Sequence, residues 1–366
     1  MSYITSVGTA VPANKFEQSK LANFMAKAMQ LDYEEGRKLN TIFKASGINF
    51  RHSVLDDYGR DTDFSFYPNT ADFEPFPSTE KRIEVFRNHA LALSEQAANQ
   101  AISRMVDFDK TQITHLIVVC CTGMYAPGLD IDLVKKLNLP VTVQRTCITF
   151  MGCYAAFNAL KVADAFCKTS NDAKVLIVCT ELCSIHFQKN PTDDNLLANA
   201  LFADGSAAVI MEATTKQKLK LVPESFESEL MEDGEKDMAW TIGNMGFEMK
   251  LSSYVPSIIK SGIHNLTARL MHRLKKNLSD IRYYAIHPGG KKILEAIEQE
   301  LGIGKNQNEH AYHVLSNYGN MSSPTVLFVL HEVYKKLENR DNGERILSFA
   351  FGPGLTLESM ILRIEI

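Results

Sequence analysis

The sequence predicts an α/β protein whose sheets are covered by helices on both faces. Short apolar runs without polar alternation recur along the chain, as in His115–Cys121 (HLIVVCC) and Lys174–Thr180 (KVLIVCT). A strand apolar on both sides belongs to a sheet buried on both faces. Between these runs lie segments with helical spacing, and that alternation is the pattern of a layered α/β fold. The pattern also runs twice, loosely: each half opens with a strand, continues through long helices and closes on two buried strands.

Met1–Pro12 reads as a short strand and turn. Asp56–Ser78, rich in Asp, Pro and aromatic residues, reads as an ordered surface excursion. Lys81–Met105 has helical spacing and leads to the strand His115–Cys121. Cys153–Lys168 is an alanine-rich helix, followed by the strands Lys174–Thr180 and Ala207–Glu212. Lys216–Leu221 (KQKLKL) restarts the order, which predicts an N-terminal half at 1–212 and a C-terminal half at 213–366. The second half offers the helices Val255–Leu274, Lys291–Leu301 and Pro324–Leu337. Its strands are Tyr283–His287, Arg345–Phe351 and Leu355–Ile364.

A chain of 366 residues exceeds one ordinary small core and calls for two domains or one double-layered domain. With 45% hydrophobic and 22% charged residues the composition is that of a soluble globular protein, not a disordered one. A formal net charge of -4 gives no overall basic surface, so nucleic acid is not an expected partner. The N-terminus lacks a basic region followed by a long apolar run, so it is not read as a signal peptide. No stretch approaches the roughly 20 apolar residues needed to cross a bilayer, and the expected address is the cytoplasm, with no membrane association. The seven cysteines, all between 120 and 183, are odd in number and sit in apolar segments, which suits buried free thiols in a reducing compartment. There is no C-x-x-C pair and no zinc spacing among the nearby histidines, so neither a metal nor another cofactor is expected. The sequons at Asn265, Asn277 and Asn320 are then chance matches.

Three separated segments carry the chemistry. Cys153 follows Gly152 and opens the helix that begins Tyr154-Ala155-Ala156. A thiol there meets unpaired backbone N–H groups and the positive end of the helix dipole, which lower its pKa from about 8.5. Gly152 allows a tight turn and close approach by a substrate. His287 ends a strand at Pro288-Gly289-Gly290, where a side chain points naturally into a cleft. Asn320 lies between Gly319 and the helix starting at Pro324, with Ser322 and Ser323 as expected helix caps. Taken singly, Cys153 is equally a buried small hydrophobe, His287 a locally satisfied histidine and Asn320 a turn asparagine. Taken together they supply a sulfur nucleophile, which exchanges thioesters readily, and two neutral donors for an enolate or tetrahedral oxyanion. No carboxylate belongs to the trio, so the set suits stabilising an anion rather than activating water.

With these segments the chain resembles a type III polyketide synthase, the chalcone synthase-like branch of the thiolase superfamily. The likeness runs nearly end to end. It rests on Val7-Gly8-Thr9-Ala10-Val11-Pro12, Val118-Val119-Cys120 leading to Ala126-Pro127-Gly128, Gly152-Cys153, Cys179-Thr180-Glu181 and Ala200-Leu201-Phe202-Ala203-Asp204-Gly205. It rests further on His287-Pro288-Gly289-Gly290, Tyr318-Gly319-Asn320-Met321-Ser322-Ser323 and Phe351-Gly352-Pro353-Gly354-Leu355-Thr356. The resemblance implies a thiolase-like duplicated αβαβα layered fold and a homodimer. It also implies coenzyme A thioesters as substrates, an acyl-CoA starter and malonyl-CoA, reaching a buried Cys-His-Asn site through a tunnel with no obligatory carrier protein. It makes Cys153 the acyl-bearing nucleophile, His287 and Asn320 the decarboxylation and oxyanion pair, and Phe202 an aromatic gatekeeper. Gly352-Pro353-Gly354 and Ser322 would shape the cavity, and Lys44 and Arg51 lie in the matching basic stretch for coenzyme A. Where plant chalcone synthases commonly carry threonines this chain has Cys121, Cys183 and His186. Ala126 stands for a methionine, and Met249 lies near a second gatekeeper phenylalanine. The smaller residue at 126 and the flexible one at 249 lean toward a fatty acyl starter and an alkylpyrone or alkylresorcinol product, although His186 works against the added room.

Among related enzymes, a carrier-protein-dependent ketoacyl synthase making one condensation is the second choice, because its motifs around cysteine and asparagine differ from MGCYAAF and YGNMSSP. A degradative thiolase needs a further cysteine near the C-terminus, and none follows Cys183. Hydroxymethylglutaryl-CoA synthase relies on a catalytic glutamate, whereas Glu181 reads as a buried structural acid. A non-catalytic scaffold of the same fold would be signalled by loss of a trio member, and all three are present.

Overall fold

The computed structural model describes residues 1–252 and 254–366. The central strands form where the sequence is apolar on both faces. They are β1 (Tyr3–Ala10), β4 (His115–Cys120), β6 (Lys174–Leu182) and β7 (Asp204–Glu212) in the first half, and β11 (Tyr283–Ile286), β12 (Arg345–Gly352) and β13 (Thr356–Glu365) in the second. β5 (Gln144–Thr149) and β8 (Lys220–Leu230) complete one nine-stranded sheet in the order β11-β12-β13-β8-β1-β7-β6-β4-β5. Around the centre the order repeats. β4 pairs with β6 in parallel, β6 with β7 and β7 with β1 antiparallel; β11 pairs with β12 in parallel, β12 with β13 and β13 with β8 antiparallel. The two runs join at β1 and β8, where Ile4 faces Leu221.

Two central helices fill the space between the runs. α5 (Ala155–Thr169) buries Ala155, Ala156, Ala159 and Ala163 and packs against strands of both halves. α10 (Thr325–Tyr334) is buried from Thr325 to His331 and packs on β1, β7 and β11. A helix apolar all round belongs inside a protein, and α10 obeys that rule. The outer faces are covered by α3 (Thr79–Ser103) on the first half and by α7 (Val255–Leu274), itself packed on α8 (Lys291–Leu301), on the second. The layering is helix, sheet, helix, sheet, helix. β1 approaches α3 so closely that a methyl on Gly8 would lie 2.3 Å from the Ala97 carbonyl oxygen.

The remaining elements frame the site. β2 (Asn14–Glu17) pairs with β3 (Phe50–Ser53), flanking α1 (Gln18–Ala28) and α2 (Tyr33–Ala45). α4 (Leu129–Leu137), α6 (Asp193–Leu201) and α9 (Glu309–Tyr318) complete the helices, and β9 (Met238–Gly243) pairs with β10 (Gly246–Leu251) as a separate hairpin. Asp56–Ser78 is a surface segment, exposed at Arg60–Asp63 and Asn69–Ala71, but it is anchored inward by its aromatic residues. Tyr58, Tyr67, Phe73 and Phe76 are buried and pack around Phe24 and Phe187. The buried Asp57 carboxylate gathers the backbone N–H groups of Ser65, Phe66 and Tyr67 at 2.7–2.9 Å. All seven cysteines are free, and Cys147 departs from the expected burial because it lies on the exposed edge strand β5. No described helix is long and apolar enough to cross a membrane.

Candidate active site

Three chain segments meet at the ends of β5, β11 and α9. Cys153 sits in a 3-10 turn, Gly152–Tyr154, that links β5 to α5. His287 follows β11, its N–H bound to the Phe349 carbonyl at 2.8 Å, and its ring lies edge-on to Phe351 at 5.3 Å. Asn320 follows Gly319, whose φ of +71° lets the chain leave α9 sharply. Its backbone is pinned to the end of α6: Asn320 N–H donates to Leu201 and Ala203 N–H to the Asn320 carbonyl, both at 2.9 Å. The Asn320 Oδ1 accepts Ser322 N–H at 2.8 Å, and the Cys153 Sγ lies 4.0 Å from that oxygen.

Cys153, His287 and Asn320 all line one inner cavity, with a free volume of about 30 Å³. That is room for about two water molecules. Cys121, Cys183, Phe202, Met249, Ser322 and Pro353, six of the residues expected to meet substrate, line it too. Among the described residues, no Asp, Glu, Lys or Arg lines it. Both ring nitrogens of His287 are buried without a hydrogen-bond partner.

Burial dominates the electrostatics. It drives the Cys153 thiol up to about 12, opposed by hydrogen bonding with Ser322 and Asn320, while the charge of Glu181 adds to the rise. The expectation of a thiol lowered by the helix start is therefore overturned: desolvation outweighs the dipole when the sulfur is out of water. Burial likewise pushes the His287 imidazole down to about 3. At rest both groups on the cavity wall are neutral, a thiol and an imidazole whose ring nitrogens have no partner.

His186 and His331 are depressed by burial as well, to about 3 and about 4. These three imidazoles stay neutral in the fold but protonate near pH 6.5 once the chain unfolds, so acid favours the unfolded state. Stability is expected to fall as pH drops below about 6.5, with protons taken up on unfolding as these imidazoles become charged. Urea midpoints between pH 7 and 5 measure this, and a flat profile would contradict it.

Gly152 has φ +80°, and a methyl there would sit 2.4 Å from the Pro353 Cδ. The glycine makes the tight turn and borders the cavity, and the space a side chain would need is taken by the Gly352-Pro353-Gly354 loop. A Cβ on Gly352 would in turn lie 2.8 Å from the Tyr154 ring. Gly352 and Gly354 thus back the cavity wall while Pro353 faces it. Gly152→Ala is expected to cost about 2–4 kcal/mol from the backbone and the clash and to displace Cys153. Denaturant midpoints with acyl loading measured beside them test both effects.

Several expected site residues lie elsewhere. Ala126 is exposed in the loop after β4 and lines neither this cavity nor its neighbour. His186 does not reach the inner cavity; it stacks on Phe247 at 4.3 Å, its Nε2 donating to the Thr122 carbonyl at 2.7 Å and its Nδ1 accepting Phe247 N–H at 3.0 Å. Arg51 is buried, not exposed. Its guanidinium holds the Gln18 side chain and the carbonyls of Asn199 and Phe202 at 2.7–2.8 Å, so it cannot reach out to a phosphate. Lys44 is exposed in a pocket beside Glu17 and Asn49, whereas Ile42 and Ala45 of the same helix face a different groove. Neither Ser322 nor Ser323 caps α10, which has no side-chain cap; Ser322 faces the cavity and Ser323 donates to Glu181.

The sequence reading missed Trp240, the only tryptophan, on the β9–β10 hairpin. A second cavity of about 40 Å³, bordered by Phe16, Leu21, Met25, Tyr58 and His186, lies behind the first. Cys183, Phe202, Trp240 and Met249 line both, so these four side chains form the wall between them. The indole N–H donates to the Cys121 carbonyl at 2.8 Å, which fixes Trp240 in that wall. A surface groove of about 180 Å³ adjoins the inner cavity on another side. Groove and cavity share Leu251, Gly289 and Ile293, and Lys291 and Lys292 stand at the groove where α8 begins. A run of lysines at a helix start was the available signal for an anion site.

A duplicated five-layer fold with thiol, imidazole and carboxamide around one inner cavity defines a thiolase-type protein. The profile of chalcone and stilbene synthases matches throughout, its N-terminal domain over residues 1–215 and its C-terminal domain over 224–365. The chain belongs to that family, the type III polyketide synthases, which are condensing acyltransferases. It is 30% identical to the alpha-pyrone synthesis polyketide synthase-like Pks18 of Mycobacterium tuberculosis, covering 100% of this chain and 91% of that one. It is 28% identical to a putative chalcone synthase of Bacillus subtilis over 100% of this chain and 99% of the other. Among solved structures, the C-terminal type III polyketide synthase domain of Steely1 from Dictyostelium superposes with a TM-score of 0.92 at 29% identity, covering 100% and 99% of the two chains. PKS-I from the brown alga Ectocarpus siliculosus gives 0.92 at 29%, covering 100% and 98%.

Proposed function

We propose that this chain loads a short acyl group from an acyl-CoA onto Cys153, extends it with malonyl-CoA and releases an alpha-pyrone. The observation that carries this reading is the convergence of Cys153, His287 and Asn320 on a cavity whose lining, among the described residues, holds no charge. In the loading step the Cys153 sulfur attacks the thioester carbon while His287 takes the thiol proton. The carbon–sulfur bond to coenzyme A breaks, and the proton leaves with the departing thiolate. Malonyl-CoA then loses carbon dioxide; the electron pair of the broken carbon–carbon bond passes into an enolate. Its oxygen is held by an N–H of His287 and the NH₂ of Asn320. The enolate carbon attacks the acyl carbon on Cys153, and the sulfur leaves. With no charged group to activate water, the intermediate is kept for further extension and for ring closure through its own oxygen.

Thioesters are proposed to enter by the groove beside Lys291 and Lys292, which supply the positive charge for the phosphates in place of Lys44 and Arg51. No metal or further cofactor is invoked. A homodimer is proposed, supported by the free edge of β5, by Val141 at 96% exposure and by Met124 at 44% exposure in the loop that holds Ala126; an unpaired strand edge invites a partner.

For the starter we favour a different reading from the fatty chain suggested by the sequence. Ala126 opens no room in the inner cavity, and Trp240 closes the way to the second one. A slim, short acyl group and few extensions suit this site better than a fatty chain. Trp240→Ala joins the two cavities and is expected to shift products toward longer starters or at least one more malonyl unit; an unchanged product range would remove Trp240 from the size limit. The reading as a whole is tested by mass spectrometry of products from a panel of acyl-CoAs with malonyl-CoA and no carrier protein. Pyrones support it. A single carrier-dependent ketoacyl product would point to the one-step synthase, and absence of carbon dioxide release to a scaffold.

A further inference from the structure

One buried acid lies beneath the site without bordering its cavity. Glu181, on β6, is fully buried. Its Oε1 accepts the Ser323 hydroxyl at 2.7 Å. Its Oε2 accepts Cys121 N–H at 2.9 Å and the Thr122 hydroxyl at 2.7 Å, with the Cys120 thiol at 3.7 Å. Every one of these partners is a donor, which is the environment of an ionised carboxylate.

The two oxygens reach toward different catalytic segments. Ser323 belongs to the loop that carries Asn320, and the N–H of Ser322, between them, fixes the Asn320 amide at 2.8 Å. Cys121 in turn accepts Gly152 N–H on its sulfur at 3.1 Å, just before Cys153. Asn320 and Cys153 come from opposite halves of the chain, and they meet above this single carboxylate.

Resting on the condensing role proposed above, we infer that Glu181 is a positioning residue that holds the Asn320 loop and the Cys153 turn in register. Without it each segment keeps its own backbone contacts but loses the shared anchor. Displacement of a reacting group by about 1 Å costs on the order of a hundredfold in rate.

Two variants test this. Ser323→Ala removes only the tie to the Asn320 loop. Glu181→Gln keeps the volume but removes the charge and one acceptor oxygen. In Ser323→Ala the kcat for malonyl-CoA decarboxylation is expected to fall roughly ten- to a hundredfold, with KM within about twofold. Labelling of Cys153 by iodoacetamide should stay within about twofold of the parent in that variant and change in Glu181→Gln, where both segments lose the anchor. Amide exchange across residues 318–325 should quicken in both variants. That readout needs no turnover, so a parent that releases no carbon dioxide sinks the condensing role while the anchor is still judged by exchange. Parent-like kcat and exchange in both variants would overturn the inference. So would a loss of rate fully accounted for by the fraction of protein unfolded at the assay temperature.

Discussion

Cys153→Ala is expected to abolish acyl loading and to lower condensation at least about 10⁴-fold, the scale on which loss of a nucleophile is felt. The effect is large because no other thiol can take over. Cys121 and Cys183 line the same cavity, but burial drives both well above the ordinary thiol range. Cys153, raised to about 12 by burial, has its sulfur 4.0 Å from the Asn320 Oδ1 at the reacting centre. Folding should survive, since alanine fits the same buried turn at a cost of about 1 kcal/mol. Decarboxylation of malonyl-CoA is expected to persist, because His287 and Asn320 remain. Acyl loading is followed by intact-protein mass and decarboxylation by release of carbon dioxide. Loading that persisted in the alanine variant would show that another residue is the nucleophile.

Asn320→Asp should have the second largest effect, a loss of about 10²- to 10³-fold in malonyl-CoA decarboxylation. The change is nearly isosteric. The oxygen that receives Ser322 N–H is retained, so the loop keeps its shape, but the NH₂ donor becomes an oxygen with negative charge where the enolate oxygen must form. His287→Gln supplies the complement. Glutamine keeps an N–H donor and loses the base, so loading of Cys153 should suffer more than decarboxylation. Because the imidazole is depressed to about 3, its own titration should put no acid limb on decarboxylation above about pH 4. Equal losses of both steps in His287→Gln would contradict separate base and donor roles.

The central strands were legible because both faces are buried. His115–Cys120 and Lys174–Leu182 are apolar nearly throughout, and their shortness and β-branched content favour buried strands over helices. β8 was seen only at its start, since Glu224, Glu227 and Glu229 interrupt its apolar pattern as the strand reaches solvent. The β9–β10 hairpin was missed as well, and Trp240 with it, because its two six-residue strands are largely half-buried or exposed and form no long apolar run. Its importance arises from where the hairpin folds, not from any motif around it. The Cys-His-Asn trio could be named because each member lies beside glycines that mark a chain reversal. The direction of the Cys153 shift could not, because a sequence displays a helix start but not its depth. Arg51 misled likewise. An arginine ordinarily stays in water, and only the fold supplies the Gln18 side chain and the two carbonyls that hold it inside.

The central claim, that Cys153 carries the growing chain, is tested most directly by peptide mapping of the acyl adduct after brief exposure to an acyl-CoA. The account predicts one adduct, on Cys153, discharged when malonyl-CoA is added. An adduct on Cys121 or Cys183, or one that malonyl-CoA leaves in place, would contradict it.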